Sequence, residues 1–113
     1  MKSKIVALSK NEEFKYLLKQ KKISNRYVTI FFGELNNKNN KKLNISFVTK
    51  KKIGNAVKRN KVKRRLRNII NEAIKKISIK FDYSYLVIAK STMLNNEYKI
   101  IKESLFQDLK KIK

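Results

Sequence analysis

The chain has 113 residues, 30 of them Lys or Arg against 8 Asp or Glu, for a formal charge of +22 with no His and no Cys. This excludes disulfides, Cys- or His-based zinc sites and the usual His- or Cys-centred catalysis. The length suits a single domain over residues 1–113. At 42% hydrophobic the chain can build a core, so folding concentrates a self-repelling charge that an anionic partner would relieve. Nucleic acid is the first expectation and an anionic membrane surface the second. No apolar run approaches the roughly 18 residues of a membrane span, and the N-terminal apolar stretch is too short for a secretory signal. A soluble cytoplasmic protein is expected.

In chain order, Ser9-Lys10-Asn11-Glu12 fits the S-x-x-E capping box. Phe14, Leu17 and Leu18 then recur at helical spacing, predicting a helix to about Lys22. A short edge strand is expected near residues 23–26. Tyr27-Val28-Thr29-Ile30-Phe31-Phe32 is rich in β-branched and aromatic residues and predicts a strand, with Val28, Ile30 and Phe32 on one face and Tyr27, Thr29 and Phe31 on the other. The polar run over residues 36–42 looks like a hairpin loop, because Asn tolerates the backbone that turns require. A strand over 43–49 follows, with Leu43, Ile45 and Phe47 inward, then a long helix over 55–77. Tyr85-Leu86-Val87-Ile88-Ala89 has the continuous apolar character of a covered central strand. A last helix over 96–112 aligns Tyr98, Ile101, Leu105, Leu109 and Ile112 on one stripe. The pattern is α+β: a small α/β sandwich in the approximate order α-β-β-(β)-α-β-α.

The charge is unevenly placed. Twenty-five of the 30 basic residues are Lys, and with 13 Asn and 14 Ile the profile also fits AT-rich codon usage. Codon usage does not, however, clear acids from one third of a protein. No Asp or Glu occurs between Glu34 and Glu72, an interval of 37 residues with 13 Lys or Arg. Stepping about 100° per residue along the long helix gathers Val62, Leu66, Ile69, Ile70, Ala73 and Ile77 into a stripe about 100° wide. Lys61, Lys63, Arg64, Arg65 and Arg67 occupy the rest, so the whole outer face is expected to be positive.

An ordinary solvated helix face would alternate its signs. Here Arg59–Lys63 and Lys63–Arg67 are like-charge i,i+4 pairs, each costing about 0.2–0.5 kcal/mol in an isolated helix. The cations also crowd the N-terminal half, where the helix dipole prefers anions by about 0.3–1 kcal/mol per charge. An external polyanion offsets both penalties, and phosphates fit best. Gly54-Asn55 stands at the entrance of this helix, where Asn is a strong N-cap whose surroundings could also face a phosphate or a hydrated metal. On the dipeptide alone an ordinary turn and cap is as good a reading.

The string Lys51-Lys52-Ile53-Gly54-Asn55-Ala56-Val57, followed by Lys58, Arg59-Asn60-Lys61, Val62 and Lys63-Arg64, closely resembles the signature of the bacterial ribonuclease P protein family. Asn11-Glu12-Glu13-Phe14, Asn25-Arg26 and Ile88-Ala89-Lys90 extend the likeness along the chain. The resemblance implies a sandwich like the second domain of a small-subunit ribosomal protein, with a left-handed βαβ crossover through the basic helix. It implies the non-catalytic subunit of a ribonucleoprotein that removes the 5′ leader from precursor tRNA endonucleolytically, with the catalytic Mg²⁺ ions held by the RNA subunit. It also implies a protein monomer in a 1:1 complex with that RNA, binding no cofactor tightly itself. Position by position, RNA binding falls on Lys51, Lys52, Gly54, Asn55, Arg59, Asn60, Lys61, Lys63, Arg64 and Arg67. A leader cleft falls on Phe14, Leu18, Phe31 and Lys90, and Asn55 is a possible metal contact. Leu18 stands where the family often has a second aromatic. Lys61 stands for an Arg, keeping charge without the bidentate fork, and Lys50 stands for a Ser.

The residues themselves agree with a binding subunit. Metal-assisted phosphodiester cleavage needs clustered oxygen ligands, whereas the eight acids are scattered and none lies in the basic stretch. Aromatic faces bind unpaired bases at about 1–3 kcal/mol each without reading sequence, which suits a leader that varies between tRNAs. A ribosomal protein, or a general RNA-binding or chaperone protein, stays open as the alternative; it would leave tRNA 5′ maturation unaffected. Membrane binding fits poorly, because the long helix needs its apolar face for the sheet and no Trp is present to anchor it.

Overall fold

The computed structural model describes residues 5–8, 10–35 and 42–112. Among these residues five strands and three α-helices follow in the order β1 (Ile5–Val6), α1 (Asn11–Leu17), β2 (Lys21–Ser24), β3 (Val28–Glu34), β4 (Leu43–Val48), α2 (Ala56–Lys76), β5 (Tyr83–Ala89) and α3 (Tyr98–Lys111). The strands form one mixed sheet in the order β1-β4-β5-β3-β2. β4 and β5 are parallel neighbours joined through α2, and β3 runs antiparallel to β5 on its other side.

The alternation of side chains sorts the sheet into two faces. Val28, Ile30 and Phe32 of β3, Leu43 and Ile45 of β4, and Tyr85, Val87 and Ala89 of β5 are buried against α2 and α3. α2 contributes Val62, Leu66, Ile69, Ile70 and Ala73, all fully buried, and α3 contributes Ile101, Leu105 and Leu109. Each large aliphatic side chain buried in this way stabilises the fold by about 1.5–3 kcal/mol before the entropy of ordering it is charged. The stripe expected on α2 is the stripe it buries. The opposite face carries Leu86 and Ile88 of β5, Phe31 of β3 and Val48 of β4. Among the described residues α1 covers this face through Leu17 and the half-buried Phe14, with Leu8 and Leu35 packed beside them. That lopsided cover is what leaves an open sheet surface.

Several sequence expectations need correction. α1 ends at Leu17 rather than near Lys22. Its N-cap position is Lys10, whose N–H donates to the Glu13 carboxylate at 3.0 Å. The carboxylate half of the box is thus one residue later than expected, and Ser9 lies outside the described residues. The chain leaves the helix because residues 21–24 pair with β3, and Gly33 allows the turn. A Cβ on Gly33 would stand 2.9 Å from Gln20 Cγ, closer than packed atoms come. The edge strand is therefore Lys21–Ser24, not residues 23–26. Tyr27 precedes the pleat of β3 and is buried in the α2–α3 core instead of sharing a face with Thr29 and Phe31. β3 and β4 form no hairpin, since β5 lies between them; residues 36–41 of the expected loop lie outside the described residues. β1 was not foreseen. It is two residues long and pairs in parallel with Leu43 and Asn44.

Candidate nucleic-acid interface

Register decides which ends meet. Val48 of β4 pairs with Ile88 of β5, which pairs with Thr29 of β3, which pairs with Ser24 of β2. The segments flanking this row, namely residues 50–52, Lys90 and the 25–27 turn, therefore emerge at the same end of the sheet. α2 begins at this end too. Lys51–Ile53 forms a short 3-10 turn whose Ile53 is buried, and Lys51 and Lys52 point to solvent. Gly54 closes the turn at φ +146°, a region that side chains disfavour. A Cβ there would also stand 2.7 Å from Lys58 Cδ. Asn55 is the N-cap of α2, its side-chain oxygen accepting the Lys58 N–H at 3.0 Å. That oxygen is committed to the cap, and its neighbours Lys51, Lys52 and Lys58 are cations, so the donor set does not fit a metal.

Along α2, Lys58, Asn60, Lys61, Arg64 and Arg67 are exposed, while Arg59 and Lys63 are half-buried. The ion pairs among the described residues are Lys76–Glu72, Lys102–Glu72 and Lys111–Asp108. The basic residues between 50 and 67 thus have no carboxylate partner there, and their charge is turned outward unneutralised. Arg65 departs from the expected continuous positive face. Its guanidinium donates to the carbonyls of Met93 at 3.0 Å and Asn96 at 3.3 Å, tying α2 to the segment before α3.

A cleft of about 620 Å³ runs along the outer edge of β4. β1 pairs with residues 43 and 44, so among the described residues the edge of β4 beyond them meets the Leu8 N–H alone, which donates to Ser46 Oγ at 2.8 Å. Phe14 of α1 stands on one side, Lys63 and Arg67 of α2 on the other, and Phe47, Val48 and Thr49 line it between them. The aromatic of the first helix and the cations of the second thus share one groove. Sequence reading missed Phe47 and Thr49 as lining residues; only the shortness of β1 exposes them, and β1 carries no signal of its own.

The other predicted cleft residues divide. Phe31 is half-buried on the α1 face with the Lys22 ammonium 5.9 Å from its ring centre, within cation–π range. Lys90 reaches back, its ammonium donating to the Asn25 carbonyl at 2.6 Å and to Ser24 Oγ at 3.0 Å. Leu18 caps the end of α1, is 48% exposed and does not line the β4-edge groove.

Comparison with known proteins decides among small basic RNA binders. The profile of the family described as Ribonuclease P matches residues 3–113. This chain belongs to the ribonuclease P protein family. It is 36% identical over 110 residues to the ribonuclease P protein component of Carboxydothermus hydrogenoformans, covering 94% of this chain and 90% of that one. It is 34% identical to that of Mycoplasma mycoides subsp. mycoides over 113 residues, the full length of both. The ribonuclease P protein of Thermotoga maritima shares the fold, with a TM-score of 0.79 over 96% of this chain and 98% of that one at 24% identity. That of Staphylococcus aureus superposes with a TM-score of 0.76 at 26% identity, over 94% and 93% of the two chains.

Proposed function

We propose that this chain is the protein subunit of a ribonuclease P that removes the 5′ leader of precursor tRNA, and that the chemistry belongs to its RNA partner. The observation that carries this reading is the junction of the unneutralised α2 face with the Phe14 groove through Lys63 and Arg67. Lys51, Lys52, Lys58, Arg59, Lys61, Arg64 and Arg67 meet phosphates of the RNA subunit, with Gly54 and Asn55 fixing the loop and Asn60 on the same exposed face. Phe14 and Phe31 offer faces to unpaired leader bases, with Lys63, Arg67 and Lys90 beside their phosphates. Binding of this kind tolerates any leader sequence.

The acids support a non-catalytic role, because those with partners are spent on the fold. Glu72 pairs with Lys102 at 3.1 Å, Asp108 accepts from Asn25, and Glu13 caps α1. No three acids come together among the described residues. Positive charge from the protein replaces part of the counterion atmosphere that brings two polyanions together. It thereby raises substrate affinity and lowers the Mg²⁺ that the RNA requires.

The test is reconstitution with a bacterial ribonuclease P RNA, followed by precursor-tRNA cleavage at low Mg²⁺ over a series of leader lengths. The protein should enhance cleavage more for leaders of several nucleotides than for one. Phe14→Ala should weaken precursor tRNA by about 1–3 kcal/mol, the worth of one stacked base, and leave mature tRNA and the RNA subunit bound as before. Equal weakening of both tRNAs would make Phe14 a core residue only.

A further inference from the structure

The turn between β2 and β3 is anchored more heavily than three residues require. Asn25 Oδ1 accepts the N–H groups of Tyr27 at 2.7 Å and Val28 at 2.9 Å, and its own N–H donates to the Val28 carbonyl at 2.9 Å. Its amide nitrogen donates to Asp108 Oδ2 at 2.8 Å, reaching across 83 residues to α3. Asp108 is 7% exposed, so one of only eight acids in a +22 chain is buried to hold an Asn. Lys111 approaches it at 3.8 Å from solvent, with its side chain 70% exposed, a geometry that contributes little. From the other side Thr92 Oγ1 donates to the Arg26 carbonyl at 2.6 Å, the Lys90 N–H to the Tyr27 carbonyl at 2.8 Å, and the Lys90 ammonium to the Asn25 carbonyl.

Arg26 sits at the tip of this turn. Its backbone is fixed on both sides, yet its side chain is exposed and has no hydrogen bond or ion pair among the described residues. A planar, always-charged fork on a rigid mount is suited to a phosphate, since less freedom is lost when it binds. Lys90 has three N–H donors, of which two are committed to Ser24 and Asn25, so the third completes a pair of cations on one turn.

We infer that the β2–β3 turn is a phosphate-binding subsite for the single-stranded leader, with Arg26 as the contact and Asp108, through Asn25, as its positioning residue. This rests on the leader-cleft reading above. The leader is favoured over the RNA subunit because the turn continues the open sheet face, past Thr29 and Ser24.

The experiment uses the reconstituted holoenzyme with precursor tRNA, mature tRNA and, separately, the RNA subunit alone. Arg26→Gln should weaken precursor tRNA about 5-fold at 0.1 M salt and flatten its log–log salt slope by about 0.7, one single-strand phosphate contact. Mature tRNA and RNA-subunit affinities should stay put. Asp108→Ala should reproduce this loss in the wild-type background and add nothing to Arg26→Gln. Asp108→Asn, which retains an acceptor for Asn25, should restore binding and keeps the test valid if the Ala variant folds poorly. Weakening of the RNA subunit or of mature tRNA to the same extent, or no effect of Arg26→Gln, overturns the subsite. An Asp108→Ala variant that lowers melting temperature without changing the precursor-to-mature ratio overturns the positioning role. If Phe14→Ala discriminates the two tRNAs while Arg26→Gln does not, the cleft stands and only the subsite fails; if neither does, the cleft reading itself fails.

Discussion

Three arginines within one turn of α2 have opposite roles, and alanine substitution separates them. Arg64 and Arg67 are exposed, with no ion pair or hydrogen bond among the described residues, whereas Arg65 donates to two carbonyls. Replacing Arg64 and Arg67 together should change folding stability by no more than about 0.5 kcal/mol. Each phosphate contact contributes about −0.9 to the slope of log K against log salt, so losing two should flatten it by about 1.8. If the electrostatic part vanishes near 1 M salt, affinity for the RNA subunit falls about 60-fold at 0.1 M and about 5-fold at 0.4 M. Arg65→Ala should do the reverse, with about 2 kcal/mol of stability lost with its charge-assisted hydrogen bonds and the salt slope unchanged. The assays are RNA titrations at four salt concentrations and urea unfolding of each variant. A double variant that unfolds early, or an Arg65→Ala protein that stays stable while its salt slope flattens, would refute this division of the helix.

Gly54→Ala forces a Cβ into a backbone at φ +146° and against Lys58, so stability should drop by more than about 1 kcal/mol in urea unfolding, with RNA binding weakened as Lys51 and Lys52 are displaced. Asn55→Ala should cost about 1 kcal/mol as a lost cap. Asn55→Asp should preserve stability yet weaken RNA binding by placing an anion among the cations; tighter RNA binding by the Asp variant would instead point to a metal at this position. Glu72 supplies a pH signature. The Lys102 hydrogen bond holds its carboxyl below the ordinary range against an opposing contribution from burial, with Tyr98 and Lys76 assisting. The native state therefore binds this proton less readily than the unfolded chain, and the resulting stability is present above the unfolded pKa and lost as pH falls through the folded one. Unfolding measured from about pH 5 down to pH 3 should have a shallower acid limb in Glu72→Gln; identical limbs would dismiss the pair as a contributor.

Local pattern carried much of this protein. The stripe from Val62 to Ala73 fixed the extent and orientation of α2 because helical periodicity needs no knowledge of what lies opposite. Asn55 was legible as its cap, and the apolar run 85–89 as a central strand, for the same reason. Acid depletion from 35 to 71 located the stretch whose cations have no carboxylate partner among the described residues before any fold was known. Tertiary structure alone decided what depends on distant pairing. Residues 21–24 have one strand-favouring residue, Ile23, and take their place by pairing with β3 beside the gap at Gly33. The supposed hairpin fails because β5, drawn from forty residues later, enters between β3 and β4. Arg65 leaves the basic face because carbonyls of residues 93 and 96 happen to face it. Among the described residues the edge of β4 extends past the short β1, so Phe14 and Arg67 share a groove that neither sequence neighbourhood encodes. Periodicity records which side of an element is apolar; the other side's neighbours are set by strand order and register, which are properties of the whole chain.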